Sequence, residues 1–353
     1  MRELSKLQKE ILANEDDVLF VEAAAASGKT YVLTERVKQE LAKNKGAVVA
    51  FTFTVAAAEE MLERLGDIDK TNLFVGTIHS YCFRLLLANG VGEATKYAEE
   101  KDFDKLFELV KEHDDCIKPV FSVLCDEMQD CNQAQFDFIF DMLNAYRYFC
   151  CYDARQSIYR WRDAHPEYIK YYANKLMATT VSMNENYRNG YAILDYAKGL
   201  IQLAGWEYRD TSIAKRDYAG KVVTVEYNPA AIARTIAKMG KFGTWFVLAR
   251  TNAQVEEMMQ ALAAVDVPYV TFKRADLSNA ELGELMKTDK VKVMTIHTAK
   301  GLEADNVVVI GAQFYNTEEK CVSYVAATRA RDLLVWTMQT KKRPQKDRYS
   351  WER

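Results

Sequence analysis

Between the apolar run VLFVEA (Val18 to Ala23) and a helical pattern lies a stretch of small residues, AAAASGKT, from Ala23 to Thr30. Few backbones can use such a stretch. Small side chains let successive N–H groups turn inward around an anion, and the N-terminus of the following helix adds a favourable dipole. Strand, loop and helix in that order are the setting a phosphate-binding loop requires. Ala24, Ala25, Ala26, Ser27 and Gly28 form the expected cradle. Lys29 is expected to reach the β and γ phosphates of ATP, and the Thr30 hydroxyl to hold Mg²⁺. The general pattern opens with Gly, and Ala23 stands in that place.

A second acidic element follows in VLCDEMQD (Val123 to Asp130). A strand that ends in Asp-Glu puts one carboxylate beside a metal and the next toward the γ-phosphate. Asp126 is the expected Mg²⁺ ligand, and Glu127 the group that orients and deprotonates the attacking water. Two acids after a strand are more often a charge pair at a helix N-terminus. Together with a phosphate loop they signal a nucleotide hydrolase.

The remaining chain alternates short β-rich runs with helical stretches, the pattern of parallel α/β construction. In the first half the further runs are AVVAFT (Ala47 to Thr52), LFVGT (Leu73 to Thr77), FSVLCDE (Phe121 to Glu127) and YFCCYD (Tyr148 to Asp153). The second half carries VVTVEY (Val222 to Tyr227), WFVLAR (Trp245 to Arg250), VKVMTI (Val291 to Ile296), NVVVIG (Asn306 to Gly311) and LLVWTM (Leu333 to Met338). At 353 residues the chain suits two domains. No internal repeat or low-complexity linker marks the join. The boundary is expected near Val181 to Glu185, giving domains 1–182 and 183–353.

With 49% hydrophobic and 27% charged residues, the composition is that of a globular protein with real cores. A net charge of −3 argues against coating nucleic acid by bulk electrostatics, but leaves room for a local basic groove. The visible basic concentration runs from Lys341 to Arg353, as compatible with a solvated terminus as with a phosphate contact. No run approaches the roughly 18 apolar residues of a membrane span, and MRELSKLQKE has no apolar secretory core. Seven scattered cysteines without a CxxC pair read as free thiols in a reducing cytoplasm.

With both elements placed, the chain resembles the UvrD/Rep branch of superfamily 1 helicases, from the Gln8 region to about Thr337. LSKLQKE (Leu4 to Glu10) is similar to the family's adenine-reading segment, which implies that Gln8 meets the base. FTVAAAEEMLER (Phe53 to Arg64) and GTIHSYCFRLL (Gly76 to Leu86) resemble its early DNA-contact motifs, implicating Thr54, Thr77 and His79. DARQSIYRWRDA (Asp153 to Ala164) resembles the motif coupling phosphate to DNA. There Gln156 is implied to sense phosphate, and Tyr159 and Trp161 to stack on bases. NENYRNGYAIL (Asn184 to Leu194) implies that Tyr187 stacks on adenine and Arg188 contacts the γ-phosphate. FVLARTNAQ (Phe246 to Gln254) brings Arg250 near DNA. VMTIHTAKGLEADNVVVIG (Val293 to Gly311) implies that Thr295 and His297 face DNA and Glu303 binds the ribose. SYVAATRARDLLV (Ser323 to Val335) makes Arg329 the arginine finger. The implied fold is two RecA-like P-loop NTPase domains with parallel sheets and the ATP site in the cleft between them.

That assignment is physically coherent. Lys29 and Glu127 lie on one domain while Arg188 and Arg329 come from the other, so the site is complete only when the domains close. An arginine supplied across an interface can be worth about 10³–10⁵ in turnover. Aromatic platforms give sequence-tolerant stacking of roughly 1–3 kcal/mol per base. Blander roles remain for some of these residues. A histidine beside a strand is usually a satisfied core group, and Tyr159 and Trp161 suit a core as well as a base. Neither His79 nor His297 has a partner at metal-ligand spacing. Trp245 and Trp336 read as packing, and Cys125 as a small buried hydrophobe. The acidic stretch Glu99 to Asp115 reads as one solvated helix with Phe103, Leu106 and Leu109 or Val110 facing inward.

Departures from the family pattern refine the expectation. Larger relatives carry long insertions where this chain has only about residues 87–120 and 273–290. Translocation is therefore better supported than robust strand separation, which a loading or duplex-contacting protein partner could supply. Val55 and Ala56 stand where Asn-Lys is usual, Tyr31 where an Arg is common, and Asp163 where a Gly is usual. The expectation is a 3′ to 5′ single-stranded DNA translocase or helicase. The alternative is a nucleotide-gated protein that clamps DNA or a partner with weak turnover.

Overall fold

The computed structural model describes residues 3–205, 208–273 and 277–338. The basic run from Lys341 to Arg353 lies outside them. Six strands build the first sheet: β1 (Val18–Ala23), β2 (Val48–Phe51), β3 (Leu73–Gly76), β4 (Ser122–Cys125), β5 (Arg147–Tyr152) and β6 (Thr179–Met183). Their spatial order is β3-β2-β4-β5-β1-β6, and every pairing is parallel. A short parallel pair, β7 (Glu185–Asn186) and β8 (Ile213–Ala214), follows. The second sheet contains β9 (Lys221–Glu226), β10 (Trp245–Ala249), β11 (Tyr269–Val270), β12 (Val291–Thr295), β13 (Ala304–Ile310) and β14 (Ala330–Met338). Its order is β11-β12-β10-β13-β14-β9, again parallel throughout. These are the two RecA-like α/β domains that the sequence implies.

The strand sequences explain the architecture. Parallel strands are covered by helices on both faces, so they read as unbroken apolar runs. SVLC in β4, VVAF in β2 and WFVLA in β10 are buried at every position. Each sheet is lined by two cores. Phe20, Phe51, Val123 and Phe138 share one face of the first sheet, and Leu19, Val21, Val32 and Phe149 the other. Phe246, Val307 and Trp336 share one face of the second, with Trp245, Val247 and Val308 opposite. Trp245, Trp336 and Cys125 are packing residues, as expected.

Parallel order has a consequence for chemistry. All strands of a sheet end on the same edge, so the loops after β1, β4, β5 and β6 meet there. In the second sheet the loops after β10 and β12 lie on one edge, while the residues that enter β13 and β14 lie on the other.

Two local expectations change. The acidic stretch is two helices, Glu93–Glu100 and Phe103–Glu112. Lys101 adopts φ 56 and the Asp102 side chain caps the second helix, so the chain turns sharply between them. Leu106, Phe107, Leu109 and Val110 are buried, whereas Phe103 is 37% exposed. At Asp163 the backbone takes φ 60, closing the turn Arg160–Arg162. That conformation favours glycine and tolerates aspartate. Tyr168 donates to its carboxylate, and His165 Nε2 lies 3.3 Å from Oδ1. No helix among the described residues is long and apolar enough to cross a membrane.

The turn at Asp163 gives a test of the backbone. Asp163→Val puts a β-branched residue in the left-handed region and is expected to destabilise by roughly 1–2 kcal/mol. Asp163→Gly relieves the same constraint, so its thermal midpoint should stay level with or above that of the parent.

Candidate functional site

The loop from Ala24 to Gly28 turns tightly at the carboxyl end of β1. Ala26 has φ 57 and Gly28 φ 85, left-handed turns that reverse the chain tightly before the helix Lys29–Ala42 begins. A side chain at Gly28 would lie 2.8 Å from Gln8 Nε2 and displace that amide, so glycine suits both the φ and the space. Gln8 is 5% exposed and donates from Nε2 to the Ser27 carbonyl at 3.0 Å. Its Oε1 accepts the Ser5 N–H, forming a capping box on the helix Lys6–Ala13. The loop is also held from the far side. Ala24 N–H donates to Met183, Tyr187 N–H to Ala26 and Asn186 Nδ2 to Ala25.

Buried Lys29 and Asp126, with half-buried Glu127, form the centre. The Lys29 ammonium is 2.5 Å from Glu127 Oε1 and 3.7 Å from Asp126 Oδ1. Burial works against that ammonium, but the two carboxylates outweigh it and hold its pKa above the ordinary value. Burial pushes the Asp126 carboxyl up to about 6. It acts on Glu127 in the same sense, yet Lys29 and Lys300 prevail and bring that carboxyl down to about 2. Thr30 Oγ1 donates to Asp126 Oδ2 at 3.3 Å, so hydroxyl and carboxylate oxygens converge on one point. Glu127 sits at φ 53, a strained conformation for a non-glycine residue. Gln129 Nε2 donates to Glu127 Oε2 and its Oε1 accepts the Asp153 N–H.

Gln156, after β5, joins the two halves. Its Nε2 donates to Asp153 at 2.8 Å, its Oε1 accepts from Arg329 at 3.3 Å, and its carbonyl accepts from Lys300 at 2.8 Å. Arg329 is buried and also donates to the Val325 and Leu302 carbonyls. Burial and the neighbouring Arg188 charge lower its pKa. Arg188 donates to Glu303 at 2.5 Å and to the Thr328 carbonyl at 3.1 Å. Glu303 accepts from Arg331 as well. The Tyr187 hydroxyl donates to Glu185 at 2.7 Å, the same carboxylate oxygen that Ser5 reaches from the first helix.

The residues expected to face DNA divide into two groups. Thr54 and Thr77 cap the helices Val55–Leu65 and Ile78–Ala88, accepting from Ala57 and Ser80. Both line a cavity of about 390 Å³ with His79, Phe53, Phe103 and Arg162. His79 stacks on Phe103 at 4.1 Å, and burial with Arg162 close by lowers its pKa to about 4. Tyr159 stacks on Phe53 at 5.1 Å and is half-buried, whereas Trp161 is 70% exposed beside it. The second group is tied up internally. Arg250 makes a two-pronged pair with Glu319, at 2.6 and 2.9 Å. Thr295 exchanges a hydrogen bond with Thr298, and His297 packs near Tyr159 with its pKa lowered by burial.

Motif spacing did not single out Lys300, Asp130, Asn186, Asn189 or Phe53. Lys300 forms a buried pair with Asp130 at 2.6 Å across 170 positions of sequence, which no local pattern reveals. Phe53 lies two residues beyond the buried strand β2, a place where an aromatic beside a loop is a fair signal.

The UvrD/REP helicase N-terminal domain profile matches residues 4–119 and 102–176, and the UvrD-like helicase C-terminal domain profile matches 271–341. A probable DNA helicase II homolog of Mycoplasma capricolum is 24% identical, over 75% of this chain and 51% of that protein. The ATP-dependent DNA helicase PcrA of Bacillus subtilis is 26% identical over 56% of this chain and 39% of its own length. A probable DNA helicase of Mycoplasma pneumoniae is 22% identical over 95% of this chain and 83% of its own. The chain thus spans about half the length, or less, of the first two.

The buried histidine supplies a pH test. A lowered folded-state pKa means that His79 contributes stability present above about 6.5 and lost as pH falls toward about 4. His79→Gln cannot titrate. The drop in thermal midpoint between pH 7 and pH 4.5 should therefore be smaller in that variant than in the parent protein.

Proposed function

Because the chain belongs to the UvrD/Rep helicase family, we propose that it is an ATP-driven motor moving 3′ to 5′ along single-stranded DNA. One observation carries the reading. Lys29, Glu127 and Gln156 on one sheet edge meet Arg188 and Arg329 at the entry to the facing strands.

The cradle fits a triphosphate with magnesium. The Ser27 hydroxyl is buried without a hydrogen-bond partner, beside a glycine where a side chain would displace Gln8. Thr30 and Asp126 offer the hard oxygen donors that Mg²⁺ takes. When bound, the metal would offset charge building on the phosphates. The chain's own groups do the rest. An incoming triphosphate takes Lys29 away from Glu127, which then orients and deprotonates water. Arg188 moves from Glu303 to the γ-phosphate, leaving Glu303 for the ribose, while Gln8 and Tyr187 hold adenine. Arg329 acts as the finger, and Gln156 reports the phosphate to the segment that carries Tyr159 and Trp161. The boundary near Val181 to Glu185 belongs to the same proposal: β6, ending at Met183, is the last strand of the first sheet.

Single-stranded DNA lies along the cavity beside Thr54, Thr77 and His79, with Trp161 as its exposed stacking face. Arg250, Thr295 and His297 meet it from the second domain, Arg250 by exchanging Glu319 for phosphate. Strand separation needs a further surface. The two short helices Glu93–Glu100 and Phe103–Glu112 and the helix Asn279–Lys287 offer little for a duplex, so a protein partner supplies it. Unwinding by the purified chain alone would sink that part.

Steady-state ATP hydrolysis with Mg²⁺ and single-stranded DNA, duplex DNA or single-stranded RNA tests the motor reading. Strong stimulation by single-stranded DNA is expected; none by any nucleic acid would favour the nucleotide-gated clamp. Lys29→Ala and Glu127→Gln should each cut turnover by at least about a hundredfold, the latter with nucleotide binding retained. Full activity in either removes the site assignment. Trp161→Ala should lose DNA stimulation far more than basal hydrolysis, since stacking contributes roughly 1–3 kcal/mol per base.

A further inference from the structure

Two asparagines that carry no expected role occupy the space between the phosphate loop and the arginine finger. Asn186 and Asn189 are both fully buried, at 0% exposure. Asn186 Nδ2 spends its two hydrogens on the Ala25 carbonyl at 3.0 Å and on Asn189 Oδ1 at 2.8 Å. Its Oδ1 accepts the N–H groups of Arg188 and Asn189, at 3.0 and 2.9 Å, fixing the turn between them. Asn189 Nδ2 then donates to the carbonyls of Thr328 at 3.2 Å and Ala330 at 2.5 Å, one on each side of Arg329.

The amide inventory is fully used. Each carboxamide offers two donor hydrogens, and all four are committed to the phosphate loop, the partner asparagine or the backbone around Arg329. A buried amide placed only to fill space would be cheaper as an apolar residue, because burial of unneeded polar groups is unfavourable. Arg188 shares the Thr328 carbonyl with Asn189, so both phosphate-facing arginines are registered by one clamp. Gly190 extends that clamp. A Cβ there would lie 2.5 Å from the Ala219 carbonyl, so the backbone after Asn189 is pressed against its neighbour.

We propose that Asn186 and Asn189 are positioning residues that set Arg329 relative to the phosphate loop. The inference rests on Arg329 being the finger of the proposed hydrolysis. The relay runs from Ala25 through two side chains to the peptide groups that bracket the arginine. A displacement of the loop by nucleotide is thereby passed to Arg329 without a direct contact between them. Errors on the order of 1 Å in such placement can cost about a hundredfold in rate.

The experiment is a double-mutant cycle on the full chain with Mg²⁺ and single-stranded DNA, following γ-labelled ATP in single turnover so that slow variants stay measurable. Asn189→Ala is expected to lower the single-turnover rate constant about tenfold to a hundredfold, with half-saturating ATP and binding of a fluorescent ATP analogue within about threefold. In an Arg329→Ala background it should cost almost nothing more, since it acts through the arginine. Losses that multiply in the double variant, or an unchanged single-turnover rate constant in Asn189→Ala, overturn the relay. Full turnover in Arg329→Ala overturns the finger reading and the relay with it. Thermal midpoints accompany each variant. Where Asn189→Ala fails to fold, Asn189→Ser, which keeps one donor, replaces it in the cycle, and the same outcomes support or overturn the relay.

Discussion

Lys29 is buried with its ammonium against two carboxylates, at 2.5 Å from Glu127 and 3.7 Å from Asp126. Burying Lys29 and Asp126 beside the half-buried Glu127 costs several kcal/mol per buried ion, which only close pairing and further hydrogen bonds offset. Every neighbouring element is arranged to supply those bonds. Gln129 and Thr30 donate to the carboxylates, and the Lys300–Asp130 pair lies alongside. The strained backbone at Glu127 persists because this network over-determines it. Without Lys29 the two acids would face each other in a buried space, so the loop, β4 and the turn after β5 depend on one cation.

Parallel topology turns that local chemistry into an interface. The first sheet gathers the ends of β1, β4, β5 and β6 on one edge, and the second sheet presents the entries of β13 and β14 to it. Arg329 and Glu303 stand immediately before those strands. The opposite edge of the second sheet carries Arg250 and Thr295, and His297, two residues further on, lies 6.1 Å from Tyr159. The helix Thr317–Ala327 connects the two edges, with Glu319 on Arg250 at its start and Thr328 beside Arg188 at its end. One helix thus contacts Arg250 and, through Thr328, Arg188, which on the proposed function is a route for coupling hydrolysis to grip.

Much of this was legible in the chain. The apolar runs mark every central strand because parallel strands are buried on both faces, and VLFVEA or WFVLAR cannot be mistaken for a half-exposed surface. The glycine and lysine of the phosphate loop, and the Asp-Glu pair after β4, are legible because phosphate chemistry demands those types at strand ends. Other parts were hidden for physical reasons. β6, with the sequence TTVSM, is mostly exposed at the sheet edge and lacks an apolar signature. The break at Lys101 puts a lysine in a left-handed turn, which composition does not announce. Asn186 and Asn189 look like ordinary turn residues until tertiary structure buries them. Lys300 finds Asp130 only because two domains meet. Asp163 shows the converse: its departure from glycine is visible in sequence, but its tolerance depends on a φ that only the structure gives.

Three of the cations expected to meet phosphate or DNA share one property. Lys29 is held by Glu127, Arg188 by Glu303 and Arg250 by Glu319, whereas Arg329 is held by Gln156 and backbone carbonyls. Binding at these places is therefore an exchange of anions rather than the filling of an empty cationic pocket. The free energy gained is the difference between two strong pairings, so it is smaller than either. A protein of net charge −3 can thus carry a phosphate-binding cleft without attracting polyanions over its whole surface. Exchange also gives the released carboxylate something to do. On the proposed mechanism, Glu127 is freed when a water must be deprotonated, and Glu303 when a ribose arrives. Ion pairs that look like static stabilisation are, on the proposed mechanism, the starting positions of the groups that act.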